Sequence, residues 1–217
     1  MIIKKIEVLT SGFVNCRSRF YTALDILSDK NKYTFSQGIN WLYGDIDSGG
    51  WAVSYYLSML ETRPKDFHVQ GTSSIFVNDE LVSTKDVLCH SCYMDETVYP
   101  LFSQKQSVRK LVTKAIKANG LDCSADDIKD MFCLDAQRFE RPIAYVGNER
   151  FRAMAAVAHC NNKQVYCFPW LSKMRFDSYC ANISTLLEML ASLKKIVIVP
   201  VGRTQNMAPC VGANIIT

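Results

Sequence analysis

The stretch from Ile39 to Leu60 constrains this chain more than any other. An apolar run, Ile39 to Tyr43, reads as a buried strand. Gly44 follows, then four residues, Gly49, and a run from Trp51 to Leu60 that reads as a helix. Strand, glycine loop and helix in this order form the frame of a phosphate-binding loop. Such a loop continues with Lys and then Ser or Thr after its second glycine. Here those places hold Gly50 and Trp51. On the helix, Trp51, Ser54, Tyr55, Ser58 and Met59 share one face, and Val53, Tyr56, Leu57 and Leu60 another. A helix apolar on two sides is expected to lie against a sheet rather than float on the surface.

The rest of the chain supplies further pieces of an α/β domain. Residues 2–9 alternate like a strand, 12–19 read as a polar connection, and Tyr33 to Phe35 as a short strand before a Gln37-Gly38 turn. Ser74 to Val82 predicts two strands about a tight Asn78-Asp79 turn. Val87 to Tyr93 is read as another strand. Val108, Leu111, Val112, Ala115 and Ile116 follow helical spacing, and Asn119-Gly120 stops that helix. Ser124 with Asp127 predicts a capped short helix to about Phe132. Gly147 to Cys160 and Cys180 to Leu193 read as helices, Val165 to Phe168 and Ile196 to Val199 as strands. β elements, the glycine-loop helix, more β, a helical insertion and then β-α-β fit a sheet core with a helical subdomain inserted in its middle.

At 217 residues the chain can bury a substantial core as one domain. Its 48% apolar and 21% charged content is that of a globular protein, and a net charge of +4 is too mild to point to nucleic acid, with no basic cluster standing out. No apolar run approaches the ~20 residues needed to span a bilayer, and Met1 to Leu9 lacks a secretory core, so a cytosolic chain is expected. The nine cysteines are odd in number and scattered, which reads as reduced thiols. Cys89-His90-Ser91-Cys92 alone has metal or redox spacing, and a single such pair with only three histidines in the chain favours a structural role and no metal site.

With these stretches in order, the sequence resembles a degenerate nucleotide-binding subunit of an ABC transporter over roughly residues 2–204. Gly44, Asp45, Ile46, Asp47, Ser48, Gly49, Gly50, Trp51 and Ala52 align with that family's Walker A loop. His90 to Met94 aligns with the strand leading to the family's glutamine loop, whose glutamine position holds Asp95. Tyr99 to Ser103 and Ser107 to Leu111 are similar to the stretch after it. Val146, Gly147, Asn148, Glu149 and Arg150 align with the signature motif LSGGQ and its basic helix, with Ser replaced by Val146 and the second Gly by Asn148. The Walker B aspartate position is Pro169, the catalytic glutamate position Trp170, and the switch histidine position Gly202.

The resemblance implies a single P-loop NTPase-like (ABC ATPase) α/β domain over 1–217. Its core sheet, flanked by helices and with an N-terminal antiparallel β part, would comprise about 1–94 and 162–217, and the helical subdomain about 95–161. A nucleoside triphosphate needs a cation at its β and γ phosphates, a magnesium ligand and a group that orients water. Gly50, Trp51, Pro169, Trp170 and Gly202 supply none of these from their side chains, so no catalytic residue and no cofactor is expected. The backbone of Gly44, Gly49 and Gly50 leaves ATP with magnesium as the candidate ligand, opposed by the charges of Asp45 and Asp47 and the bulk of Trp51. The function implied is a catalytically inactive subunit of a membrane transporter complex. It would pair with an ATPase subunit or itself and with a membrane-spanning subunit, peripheral on the cytoplasmic face. A soluble regulatory protein that keeps the fold without transport, and an active ATPase with atypical motifs, are the alternatives.

Overall fold

The computed structural model describes residues 2–10, 13–14, 16–18, 21–23, 32–43, 50–58, 68–69, 73–95, 103, 105–171, 173–202 and 214–216. The amino-terminal part is strand: β1 (Lys5–Thr10), the short β2 (Phe13–Val14), β3 (Cys16–Ser18) and β4 (Tyr21–Ala23), then β5 (Lys32–Ser36) and β6 (Gly38–Tyr43). Helix α1 (Gly50–Tyr56) is followed by β7 (His68–Val69), β8 (Ser73–Val77), β9 (Glu80–Val82), α2 (Thr84–His90) and β10 (Ser91–Tyr93). The helical part is α3 (Val108–Asn119), α4 (Ala125–Met131), α5 (Ala136–Phe139) and α6 (Arg150–Cys160). The chain then runs through β11 (Val165–Cys167), α7 (Lys173–Ser192), β12 (Ile196–Val201) and β13 (Asn214–Ile216).

Two sheets carry the domain. One is antiparallel in the order β5-β1-β8-β9, and its central strand β1 alternates as expected: Ile6, Val8 and Thr10 point inward. Outside, Glu7 pairs with Lys32 at 3.0 Å and with Lys5 at 3.7 Å. The second sheet is parallel in the order β10-β11-β12-β6-β13. Every residue of β12 is buried, because a parallel sheet is covered on both faces. Period-2 alternation splits its side chains between two cores. Val197, Val199, Val201, Trp41, Tyr166 and Phe168 meet the helical part and α7. Ile196, Ile198, Leu42, Val165 and Cys167 meet α1 and the antiparallel sheet. Asn40, fully buried in β6, donates to the carbonyls of Ser36, Gly38 and Val197 at 2.8, 3.1 and 3.2 Å, so a polar group survives inside the sheet.

Several local expectations match at the level of single atoms. Asn78 and Asp79 take φ of +51° and +70°, the geometry a two-residue hairpin turn demands. Ser107 caps α3, and Gly120 ends it in the left-handed conformation. Ser124 and Asp127 form the full capping box of α4. Other expectations are corrected. Val87 to Tyr93 is not one strand: a second capping box, Ser83 with Asp86, starts α2, and only Ser91–Tyr93 is extended. Cys89 and Cys92 therefore span a helix-to-strand junction. The polar connection at 12–19 contains β2 and β3. The helix after the glycine loop ends at Tyr56, and α7 begins at Lys173 rather than Cys180. Gly147–Glu149 is a 3-10 turn, and α6 proper starts at Arg150.

Candidate functional site

In an open parallel sheet, ligands bind beyond the carboxyl ends of the strands, where loops leave the sheet. The carboxyl ends of β10, β11, β12 and β6 lie side by side here. Tyr93 pairs with Cys167, and Val201 with Tyr43. The sequence positions singled out from the resemblance fall at these ends. Asp95 follows β10, half-buried, just after Met94, whose N–H donates to the Cys167 carbonyl at 2.8 Å. Pro169 and Trp170 follow β11. Gly202 follows β12 directly and is buried. Gly44 to Gly49 lie outside the described residues, and Gly50, Trp51 and Ala52 open α1.

The structure sets two of these positions side by side. Leu171 forms a parallel bridge to Val201, which sets Trp170 beside Gly202. A Cβ built on Gly202 would stand 3.6 Å from Cζ2 of Trp170. The indole is half-buried and packs on the core shared with α1. The ends of β11 and β12 thus present an aromatic ring and a bare backbone.

Helix α1 is tied to the same place by hydroxyl groups. Ser54, fully buried, donates through Oγ to the Phe168 carbonyl at 2.7 Å, and Ser58 donates to the Ser54 carbonyl at 2.6 Å. Ser91 at the start of β10 donates to the Leu57 carbonyl at 2.5 Å. The Ser54 and Ser58 hydroxyls also hydrogen-bond the Cys167 thiol, yet burial pushes that thiol up to about 12, so it stays protonated. Ser54 escaped sequence reasoning, although a serine on an otherwise apolar helix needs a buried partner.

The signature-like residues sit in the helical layer. Val146 is buried, and Gly147 takes φ of +73°, a conformation that favours glycine. Asn148 is exposed. Glu149 is the N-cap of α6 but makes no side-chain cap bond there. Its carboxylate instead accepts from the Asp135 N–H at 3.0 Å and lies 3.8 Å from Arg138 Nε. Arg150 stacks over the Phe151 ring at 4.9 Å, and Phe151 packs on Phe168 with ring centroids 5.5 Å apart. The first turn of α6 therefore touches the residue just before Pro169. Phe151 and Phe168 were not singled out from sequence, since an aromatic in an apolar helix or strand reads as core.

Elsewhere, the Cys89–Cys92 pair gathers no metal-binding set: among the described residues no group of three His, Cys, Asp or Glu side chains could hold a metal ion. Burial drives the Cys92 thiol far up, and Cys89 is exposed. No helix among the described residues is long and apolar enough to cross a membrane.

No family model matches the sequence, and no curated protein does. Solved structures do match the fold. A Pyrococcus furiosus protein described as an ABC transporter ATP-binding protein superposes with a TM-score of 0.62 at 16% identity, over 97% of this chain and 96% of its own. CbiO1 from Clostridium perfringens, part of the ABC transporter complex CbiONQ, gives 0.56 at 11% identity, over 98% of this chain and 84% of its own. The fold is that of an ABC transporter ATP-binding protein: a mixed α/β, P-loop NTPase-like domain with antiparallel and parallel sheets.

Proposed function

We propose that the chain is a catalytically inactive ABC ATPase-like subunit of a membrane transporter complex, seated on the cytoplasmic face through its partners. The observation that carries this reading is the placement of Trp170 beside Gly202 at the ends of β11 and β12. Neither these residues nor Pro169 can hold magnesium, accept a proton from water or bear charge toward a phosphate. The chemical set there does not fit magnesium with a nucleotide, and no step of phosphoryl transfer is assigned to this chain. Gly44, Asp45, Ile46, Asp47, Ser48, Gly49, Gly50, Trp51 and Ala52 are read as retained strand-loop-helix architecture. Exposed Gly147 and Asn148, with the partly exposed Glu149 and Arg150, are read as the face offered to a partner, with buried Val146 behind them.

The partners in this reading are an ATPase subunit or a second copy of the chain, together with a membrane-spanning subunit. The likeness to a component of CbiONQ supports the membrane-spanning partner. The test is affinity isolation of the tagged chain from detergent-solubilised membranes, with ATP hydrolysis measured on the purified chain. Recovery of a multi-spanning subunit, with no hydrolysis by the chain alone, supports the reading. Recovery of soluble partners only would favour a regulatory protein outside transport. Hydrolysis that disappears in Gly49→Arg would make the chain an active ATPase and end the proposal.

A further inference from the structure

Helix α3 carries its charge in one sign. It has four basic residues, Arg109, Lys110, Lys114 and Lys117, and no acidic one. Val108, Leu111, Val112 and Ala115 are buried, and the 3.6-residue period sets Lys110, Lys114 and Lys117 with Thr113 on the opposite face, all exposed. On the flank, Arg109 takes Asp126 at 2.9 Å and Glu140 at 2.5 Å. Among the described residues Lys110, Lys114 and Lys117 form no ion pair. Exposed Arg141 adds charge at the amino end, where its carbonyl accepts from the Val108 N–H at 3.1 Å.

We infer that this lysine stripe on α3 docks the chain on the anionic headgroups of a membrane surface. The chemistry of the stripe selects the partner. Lysine is a compact, hydrated point charge that suits diffuse negative charge, and α3 carries no aromatic side chain on which a nucleic-acid base could stack. A protein partner would need an apolar anchor at the centre of its contact. The exposed large apolar side chains among the described residues, Ile2, Leu9, Leu81, Met131 and Tyr145, all lie off α3. Charge complementarity to anionic lipid is what remains. The inference does not depend on the transporter reading, because the contact needs no partner subunit.

The test is sedimentation of the full purified chain with phosphatidylcholine vesicles, with and without phosphatidylserine, at low and high salt. Binding that requires phosphatidylserine and is lost at high salt is expected. Three lysines close to such a surface together strengthen binding on the order of 100-fold, so the triple variant Lys110→Gln, Lys114→Gln, Lys117→Gln should lose about that much. A second triple variant, Lys4→Gln, Lys85→Gln, Lys194→Gln, removes the same net charge elsewhere, and circular dichroism checks the fold of both. A much smaller loss in the second variant supports the inference. Equal loss in the two, binding to phosphatidylcholine alone, or no binding overturns it. So would α3-dependent binding to single-stranded RNA without binding to phosphatidylserine vesicles.

Discussion

Replacing Gly202 by leucine tests whether the Trp170 ring fills the space at the ends of β11 and β12. A Cβ at Gly202 would meet Trp170 Cζ2 at 3.6 Å, an ordinary van der Waals distance. Gly202→Ala should therefore change stability by less than about 0.5 kcal/mol. Leucine adds three further carbons at a buried position, and they must enter the volume of the indole. Overpacking of this kind costs about 1–3 kcal/mol. For a chain of this size that is a fall in Tm of roughly 2–4 °C per kcal/mol. In a Trp170→Ala background the same leucine has room, and its cost should drop below about 1 kcal/mol, a coupling on the order of 1–2 kcal/mol. Urea and thermal unfolding followed by far-ultraviolet circular dichroism would read all five proteins, since the signal does not depend on tryptophan. An equal cost of Gly202→Leu in both backgrounds would refute the packing of the Trp170 ring beside Gly202.

Further outcomes follow from other sites. Ser54→Ala leaves the buried Phe168 carbonyl without its 2.7 Å hydroxyl donor and should cost about 1–3 kcal/mol in urea unfolding, with Ser54→Thr costing less where the methyl group fits. Asp86 is held below the usual carboxylate range by the Ser83 hydroxyl and then the Ser83 N–H, and Asp127 by the Ser124 N–H and then its hydroxyl. A lowered folded pKa gives stability that is present above the unfolded value of about 3.9 and is lost as pH falls through the folded one. The urea midpoint should thus decline below about pH 4, less steeply in Asp127→Asn. Burial pushes the Cys160 and Cys167 thiols up to about 12, whereas Cys89 and Cys133 are exposed. Iodoacetamide followed by peptide mass spectrometry should label Cys89 and Cys133 at least about 10-fold faster in the native chain.

What the sequence made legible was local. Ser107, Gly120 and the Ser124–Asp127 box each determine a helix end through one or two hydrogen bonds, and the Asn78-Asp79 turn is specified by two residues that tolerate positive φ. The β-branched run of β12 could only be a strand covered on both faces. Val87 to Tyr93 misled because a short apolar run has no period of its own. Ser83 and Asp86 decide it, and they lie just upstream of the apolar residues. Likewise α7 begins seven residues before its expected start at Cys180, because Lys173, Met174 and Arg175 are good helix formers without an apolar stripe.

The candidate site was legible only in part, for a topological reason. Trp170 and Gly202 lie on different strands, and nothing in either neighbourhood says that they touch. The contact follows from the parallel register in which Leu171 bridges Val201. A one-residue slip in that register would turn Trp170 toward the other face of the sheet. The register in turn rests on residues remote from the strand ends, such as Asn40, whose side chain joins the turn at Ser36 and Gly38 to Val197 of β12. The architecture at the strand ends is thus held by the sheet and by the Ser54 tie from α1, and not by charges at Pro169, Trp170 or Gly202. A fold supported in this way does not depend on which side chains stand at the strand ends, and that separation is what the Gly202→Leu and Ser54→Ala measurements together probe. Destabilisation by Ser54→Ala without any coupling between Gly202 and Trp170 would mean that α1 ties the strand ends while the Trp170 ring does not pack on Gly202.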